Sequence, residues 1–246
     1  MALIQVENLT KIYGKGETAV TALDNVSLSV EAGEFLAVMG PSGCGKSTLL
    51  YLMGGLDRPS GGQVIIKDQD LNKLSDDALT RLRRREIGFV FQFYNLIPVL
   101  TATENTAMPI LLDGARTSKA KAKAREWLEK VGLGDRLNNR PDQLSGGQQQ
   151  RVAVARALVA EPELILADEP TGNLDTHSSE EIADLLRQVA NQWGRAVVMV
   201  THDPNVAAHA DRILFLKDGV VVDETITEPQ NGNNSELVTE KMREIS

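Results

Sequence analysis

Gly40-Pro41-Ser42-Gly43-Cys44-Gly45-Lys46-Ser47-Thr48 is the stretch on which the reading of this chain turns. Before it stands Phe35-Leu36-Ala37-Val38-Met39, an apolar run with the length of a buried strand. After it, Leu49-Leu50-Tyr51-Leu52-Met53 continues a helix that ends near Gly54-Gly55. Strand, glycine-rich loop and helix, in that order, form the setting a Walker A phosphate loop requires. The glycines let backbone N–H groups turn inward around phosphate oxygens, and the helix start adds its partial positive charge. Lys46 reaches the β- and γ-phosphates as a point charge in such a loop. The Ser47 hydroxyl completes the shell of Mg2+, which takes hard oxygens in an octahedron. The loop alone implies a nucleotide and no particular reaction.

The bulk properties narrow the class. With 246 residues, 42% of them hydrophobic, the chain has room for a substantial core. A net charge of −8 argues against a general nucleic-acid binder. The single cysteine, Cys44, allows no intrachain disulfide, which suits a reducing compartment. Met1 to Glu7 carries no basic region and no long apolar core, so no signal peptide is expected. The longest apolar candidate, Ile87 to Leu100, is broken by Gln92, Asn95 and Pro98. No membrane span is expected, and any work at a membrane would pass through a partner.

Around the phosphate loop the pattern alternates between strands and helices. Ala2 to Leu9 and Val20 to Val30 read as strands joined by a glycine-rich stretch, Tyr13 to Thr18. Gln63 to Lys67 reads as another strand and Asp76 to Glu86 as a charged helix, whose Arg81, Arg83, Arg84 and Arg85 are expected on a solvated face. Ile87 to Phe91 is a buried strand ended by Gln92. Helix formers then dominate, with Ala120, Ala124, Trp127, Leu128 and Val131 at helical spacing and Gly132 placed as a C-cap. A further helix begins after Ser145, with Val152, Ala155, Leu158 and Val159 on one face. This region reads as a helical insertion into an α/β core that the first ninety residues begin beside a small β layer. Leu164 to Ala167 and Ala196 to Val200 are buried strands, and Lys217-Asp218-Gly219 marks a hairpin between Ile213–Leu216 and Val220–Val222. From Glu228 a polar linker is expected, and Glu236 to Ile245 reads as a short terminal helix or as nothing ordered.

Three further places carry chemistry. Asp168 ends an apolar strand, where α/β sheets bind ligands, and fits a Walker B carboxylate holding Mg2+ through water. Glu169 follows and fits a group that orients or deprotonates an attacking water. In Leu144-Ser145-Gly146-Gly147-Gln148, Ser145 caps the next helix and two glycines leave bare N–H groups beside it, a second phosphate-binding surface.

With that last motif between the two Walker motifs, the chain resembles the nucleotide-binding subunit of an ABC transporter, from Val6 to about Val222. The resemblance implies a P-loop NTPase (RecA-like) α/β core with an antiparallel β subdomain and an inserted α-helical subdomain at about 93–158, within one domain over 1–222 and a partly flexible tail over 223–246. It implies that Tyr13 stacks on adenine, that Gln92 touches Mg2+ and a permease, that Asp175 crosses a dimer and that His202 contacts the γ-phosphate. Gly172-Asn173 departs from the commoner Ser-Ala start of the loop carrying Asp175. The implied cofactors are ATP and Mg2+. The implied partners are a second copy, whose signature covers the ATP, and an integral-membrane permease docking near Phe93, Tyr94, Leu96 and Ile97. The implied location is peripheral, on the cytoplasmic face of the inner or plasma membrane. Local stretches, among them Ile87 to Pro98 and Asp168 to Asp175, resemble the macrolide-export and lipoprotein-release group. A soluble, non-transport ABC ATPase such as a cluster-assembly factor stays open as an alternative. A GTPase is discarded, because Asn72-Lys73-Leu74-Ser75 lacks the aspartate of a guanine reader.

Overall fold

The computed structural model describes residues 2–227 and 234–245. Two sheets share the chain. An antiparallel sheet runs in the order β2-β1-β4-β5, from β1 (Ala2–Tyr13), β2 (Val20–Glu31), β4 (Gly61–Ile66) and β5 (Gln69–Asp70). The other has the order β10-β9-β3-β8-β7-β6 and comprises β3 (Phe35–Met39), β6 (Ile87–Phe91), β7 (Leu164–Asp168), β8 (Ala196–Val200), β9 (Arg212–Lys217) and β10 (Val220–Ile226). Its strands are parallel except β10, which turns back on β9. β3 and β8 are buried at every residue, as a parallel sheet covered on both faces demands. Asp218 (φ +48°) and Gly219 (φ +80°) make the two-residue turn of the β9–β10 hairpin.

Register explains why the loops meet. Val38 pairs with Val200, Val200 with Asp168, and Asp168 with Phe91. One row across four parallel strands therefore sends the phosphate loop, His202, Glu169 and Gln92 out of the same sheet edge.

The helices are α1 (Lys46–Met53), α2 (Asp76–Glu86), α3 (Ala102–Leu112), α4 (Thr117–Lys130), α5 (Gly146–Leu158), α6 (Thr176–Asn191), α7 (Pro204–Ala207) and α8 (Asn234–Ile245). α3, α4 and α5 pack on one another, and α5 also lies on β6. α5 is buried on most of its circumference, including Ala153, Val154 and Ala157, rather than on one face. A helix wedged between a sheet and a helical layer has no solvated side.

Other expectations are corrected by contacts distant in sequence. Arg83 Nη1 donates to the Gly55 carbonyl at 2.6 Å, and Arg84 and Arg85 pair with Asp113 at 3.2 Å. These arginines bind α2 to its neighbours and are not simply solvated. β1 continues past Leu9 to Tyr13, and β10 past Val222 to Ile226. α8 is ordered, with Val238 in the core and Lys241 paired with Asp223. Of the linker expected over 228–235, residues 228–233 lie outside the described residues, and Asn234 and Ser235 belong to α8 instead.

Candidate functional site

The phosphate loop is shaped by close neighbours. Gly45 has φ +105° and caps α1 in the left-handed region; a Cβ there would collide with the Ala22 carbonyl, and one at Gly40 with that of Leu216. Lys46 is buried and donates to the carbonyls of Gly40 (2.9 Å) and Pro41 (2.8 Å). Its ammonium is thereby held over the loop, and a phosphate can exchange two neutral acceptors for charged ones. Cys44 is buried beside Lys46; burial pushes its thiol pKa up although the Lys46 ammonium pulls the other way.

α1 crosses β7 and β8 and brings Ser47 to Asp168: Oγ donates to Oδ1 at 2.9 Å. The second carboxylate oxygen, Oδ2, accepts from Tyr51 Oη at 2.7 Å. That hydrogen bond, with burial, raises the Tyr51 pKa to about 12, so the phenol stays a donor. The sequence reading left Tyr51 unassigned. Its spacing of four from Ser47, which puts both on one helix face, was the available signal.

Glu169 sits at φ +44°, uncommon for a residue other than glycine. Two hydrogen bonds hold it there, Glu169 N to Val200 O and Gly172 N to Glu169 O, each 3.0 Å. Its Oε2 lies 3.2 Å from His202 Nδ1. Both line a cavity of about 190 Å³ together with Thr171, Gly172 and Leu174.

Gln92 leaves the same edge but points to the loop after Glu169. Asn173 Nδ2 donates to the Gln92 carbonyl at 3.0 Å, and the Gln92 amide lies 3.5 Å from Asn173 Oδ1. No described hydrogen bond joins the Gln92 side chain to Ser47 or Asp168. Gln150, fully buried on α5, was also missed by sequence reading; its Nε2 donates to Pro170 O (2.6 Å) and Phe91 O (3.3 Å). It thus ties the carbonyl before Gln92 to the loop after Glu169.

Leu144-Ser145-Gly146-Gly147-Gln148 starts α5 with a full capping box: Ser145 Oγ accepts from Gln148 N (3.3 Å) and Gln148 Oε1 from Ser145 N (3.0 Å). Its glycines abut Tyr94, Leu174 and Ser178 rather than the phosphate loop. Asp175 caps α6 through Ser178, and those hydrogen bonds hold its carboxyl below the usual range. Tyr13, 42% exposed at the end of β1, donates to Asp57 Oδ2 at 3.0 Å and lies beside Thr48.

The segment after Gln92 divides. Phe93 and Ile97 face outward, 72% and 39% exposed, whereas Leu96 packs on the core and Tyr94 is partly buried against Gly146. Arg156 donates to the carbonyls of Tyr94 and Asn95, fixing the turn. A cavity of about 310 Å³ opens beside it, with Phe89, Phe91 and Pro109 in its wall and Arg83, Arg84 and Arg156 at its polar parts.

The family described as "ABC transporter" matches residues 23–172, more than half of the chain. This chain belongs to the ABC transporter family. It is an ATPase of that family, and the α/β core with its antiparallel sheet is the P-loop NTPase fold of ABC cassettes. A dimeric, post-hydrolysis structure of the ATP-binding cassette MJ0796 bound to ADP and Pi is similar at TM-score 0.84 and 47% identity, covering 92% of this chain and 99% of that one. The lipoprotein-releasing system ATP-binding protein LolD of Geobacter metallireducens is 51% identical, with 90% of this chain and 98% of that protein covered. The macrolide export ATP-binding/permease protein MacB of Hyphomonas neptunium is 48% identical over 91% of this chain. The chain spans about a third of that protein's length, 34%. Among the described residues, no helix is long and apolar enough to cross a membrane.

Proposed function

We propose that this ABC ATPase is the ATP-binding subunit of a transporter. Two copies close head to tail around two ATP molecules with Mg2+, and hydrolysis to ADP and phosphate drives a separate membrane permease of the macrolide-export or lipoprotein-release kind. The observation that carries the reading is the alignment on one sheet edge of Ser47–Asp168 (2.9 Å) with Glu169–His202 (3.2 Å). It sets a hard-oxygen pair beside a carboxylate–imidazole pair.

The donor set fits Mg2+. Ser47 Oγ offers a hard oxygen ligand and the Asp168 carboxylate would hold the ion through water; Mg2+ takes its remaining positions from phosphate oxygens and water, so few protein ligands suffice. Bound there, the ion would neutralise charge on the phosphate oxygens. Lys46 and the loop N–H groups bind the phosphates, and Tyr13 offers its ring to adenine. Glu169 orients the attacking water and accepts its proton, while His202 steadies that carboxylate and faces the γ-phosphate. Gln92 has to leave Asn173 to serve a metal. The capped N-terminus of α5, with Ser145, Gly146 and Gly147, covers the ATP of the opposite subunit, and Asp175 lies at that junction.

The permease docks on the outward face of Phe93 and Ile97 and the adjoining cavity; the 48% and 51% identities to MacB and LolD support the subfamily. Tyr94 and Leu96 act behind that surface. The subunit then works on the cytoplasmic face of the membrane as a peripheral protein.

Glu169→Gln tests the chemistry. ATP affinity is expected within about twofold of the parent, with turnover reduced at least roughly a hundredfold. Undiminished hydrolysis removes Glu169 from the role of base.

A further inference from the structure

We propose that Tyr51 is a positioning residue for Asp168: its hydroxyl sets the plane of the carboxylate, so that one oxygen is presented beside Ser47 to the divalent cation that accompanies the nucleotide. The inference rests on the reading of Asp168 as the metal-holding carboxylate.

The sequence context gives the first observation. Tyr51 interrupts an apolar run, Leu49-Leu50-Tyr51-Leu52-Met53, whose other members are all buried in one core cluster. Tyr51 alone is turned partly out of that core, toward the end of β7. Phenylalanine would supply the same ring to the helix; only the hydroxyl reaches Asp168.

The geometry gives the second. Ser47 and Tyr51 are one helical turn apart and approach the same carboxylate from two sides, Ser47 Oγ on Oδ1 at 2.9 Å and Tyr51 Oη on Oδ2 at 2.7 Å. The terminal torsion of an aspartate is broad, so a single donor leaves the group free to turn. A second donor on the opposite oxygen removes that freedom. The two contacts also differ in what a metal does to them. A cation held at Ser47 and Asp168 would displace the Ser47 hydrogen bond, because the Ser47 oxygen would serve the ion instead. The Tyr51 bond, on the other oxygen, would not have to break. It is a hydroxyl donating to a charged acceptor, in the stronger class of hydrogen bonds.

The consequence is specific. Without the hydroxyl, Oδ2 loses its partner and Asp168 must be ordered by the metal itself, so metal affinity falls. The ring still fills its place on α1.

The experiment uses the full chain carrying Glu169→Gln, with ATP, and Mn2+ as a paramagnetic probe followed by electron paramagnetic resonance. Adding Tyr51→Phe is expected to raise the half-saturating Mn2+ concentration roughly three- to tenfold. In the chain with Glu169 intact, the same substitution is expected to raise the Mg2+ concentration needed for ATP hydrolysis by a similar factor while the KM for ATP at high Mg2+ stays in place. A Mn2+ titration that superimposes on the parent's overturns the inference, even if the melting temperature drops, since Tyr51 then serves packing alone. Asp168→Asn separates the two levels. If it leaves Mn2+ affinity intact, the metal reading of Asp168 fails and the role of Tyr51 falls with it.

Discussion

Gln150→Glu places one oxygen where the structure needs a donor. Gln150 is fully buried, and its Nε2 bridges Pro170 O at 2.6 Å and Phe91 O at 3.3 Å. The Phe91 carbonyl has a second donor in Tyr94 N at 3.3 Å, but the Gln150 Oε1 has no hydrogen-bond partner among the described residues. A carboxylate in this position faces two carbonyl oxygens with no paired cation. A neutral carboxyl can still donate one proton, to Pro170 O. Burial therefore raises the pKa of the new group in the folded state far above its unfolded value of about 4.3. Taking a rise of about 3 units, the low end for fully buried carboxyls, and about 1.4 kcal/mol per unit gives about 4 kcal/mol. The sign follows from the raised folded-state pKa: the variant keeps its stability below about pH 4 and loses it as pH climbs toward the folded-state value. Urea unfolding of parent and variant at pH 5 and pH 8 reads the effect. The variant's deficit is expected to grow by about 3 kcal/mol between them, a large share of the 5–15 kcal/mol typical of a domain. A deficit equal at both pH values, or below about 1 kcal/mol at pH 8, refutes the reasoning.

Tyr13→Ala removes an exposed ring beside Thr48 and should weaken ATP binding by about tenfold, measured by calorimetry, with little change in melting temperature. In Gly172→Ala the new methyl comes within 2.8 Å of Gln92 Nε2 and 3.1 Å of its Cδ, and the flexible amide gives way. Hydrogen exchange over 92–97 should quicken by roughly tenfold, whereas unchanged exchange shows that the contact with Asn173 holds nothing. The raised pKa and burial of Cys44 predict reaction with an aromatic disulfide at pH 7.5 at least about tenfold slower than that of free cysteine, and slower still with ATP bound.

Much of the core was legible because local pattern and global fold agree. Phe35 to Met39, the glycine loop and α1 each announce themselves within a few residues, and α2 and β6 start and stop where the charged helix and the apolar run do. What the residues could not disclose is pairing. The strand order β3-β8-β7-β6 is not sequential, so the row through Val38, Val200, Asp168 and Phe91 has no trace in any single stretch. The arginines of α2 were misplaced for the same reason, since Gly55 and Asp113 lie 28 residues from Arg83 and Arg85. Gln150 hides in a polar run, Gln148-Gln149-Gln150-Arg151, that resembles a solvated helix face, and Tyr51 in an apolar one that resembles core. Of the segment proposed to meet a permease, Phe93 and Ile97 point outward and Tyr94 and Leu96 inward, an alternation that persists although Tyr94 and Asn95 take positive φ and the segment is not a strand.

The head-to-tail dimer is the central claim, and the most direct measurement is light scattering of Glu169→Gln on a sizing column with and without ATP and Mg2+. The account predicts a 26.8 kDa monomer without nucleotide and twice that mass with it, the shift being lost when Ser145→Arg is added. A nucleotide-loaded protein that stays monomeric, or a dimer that Ser145→Arg leaves intact, contradicts it.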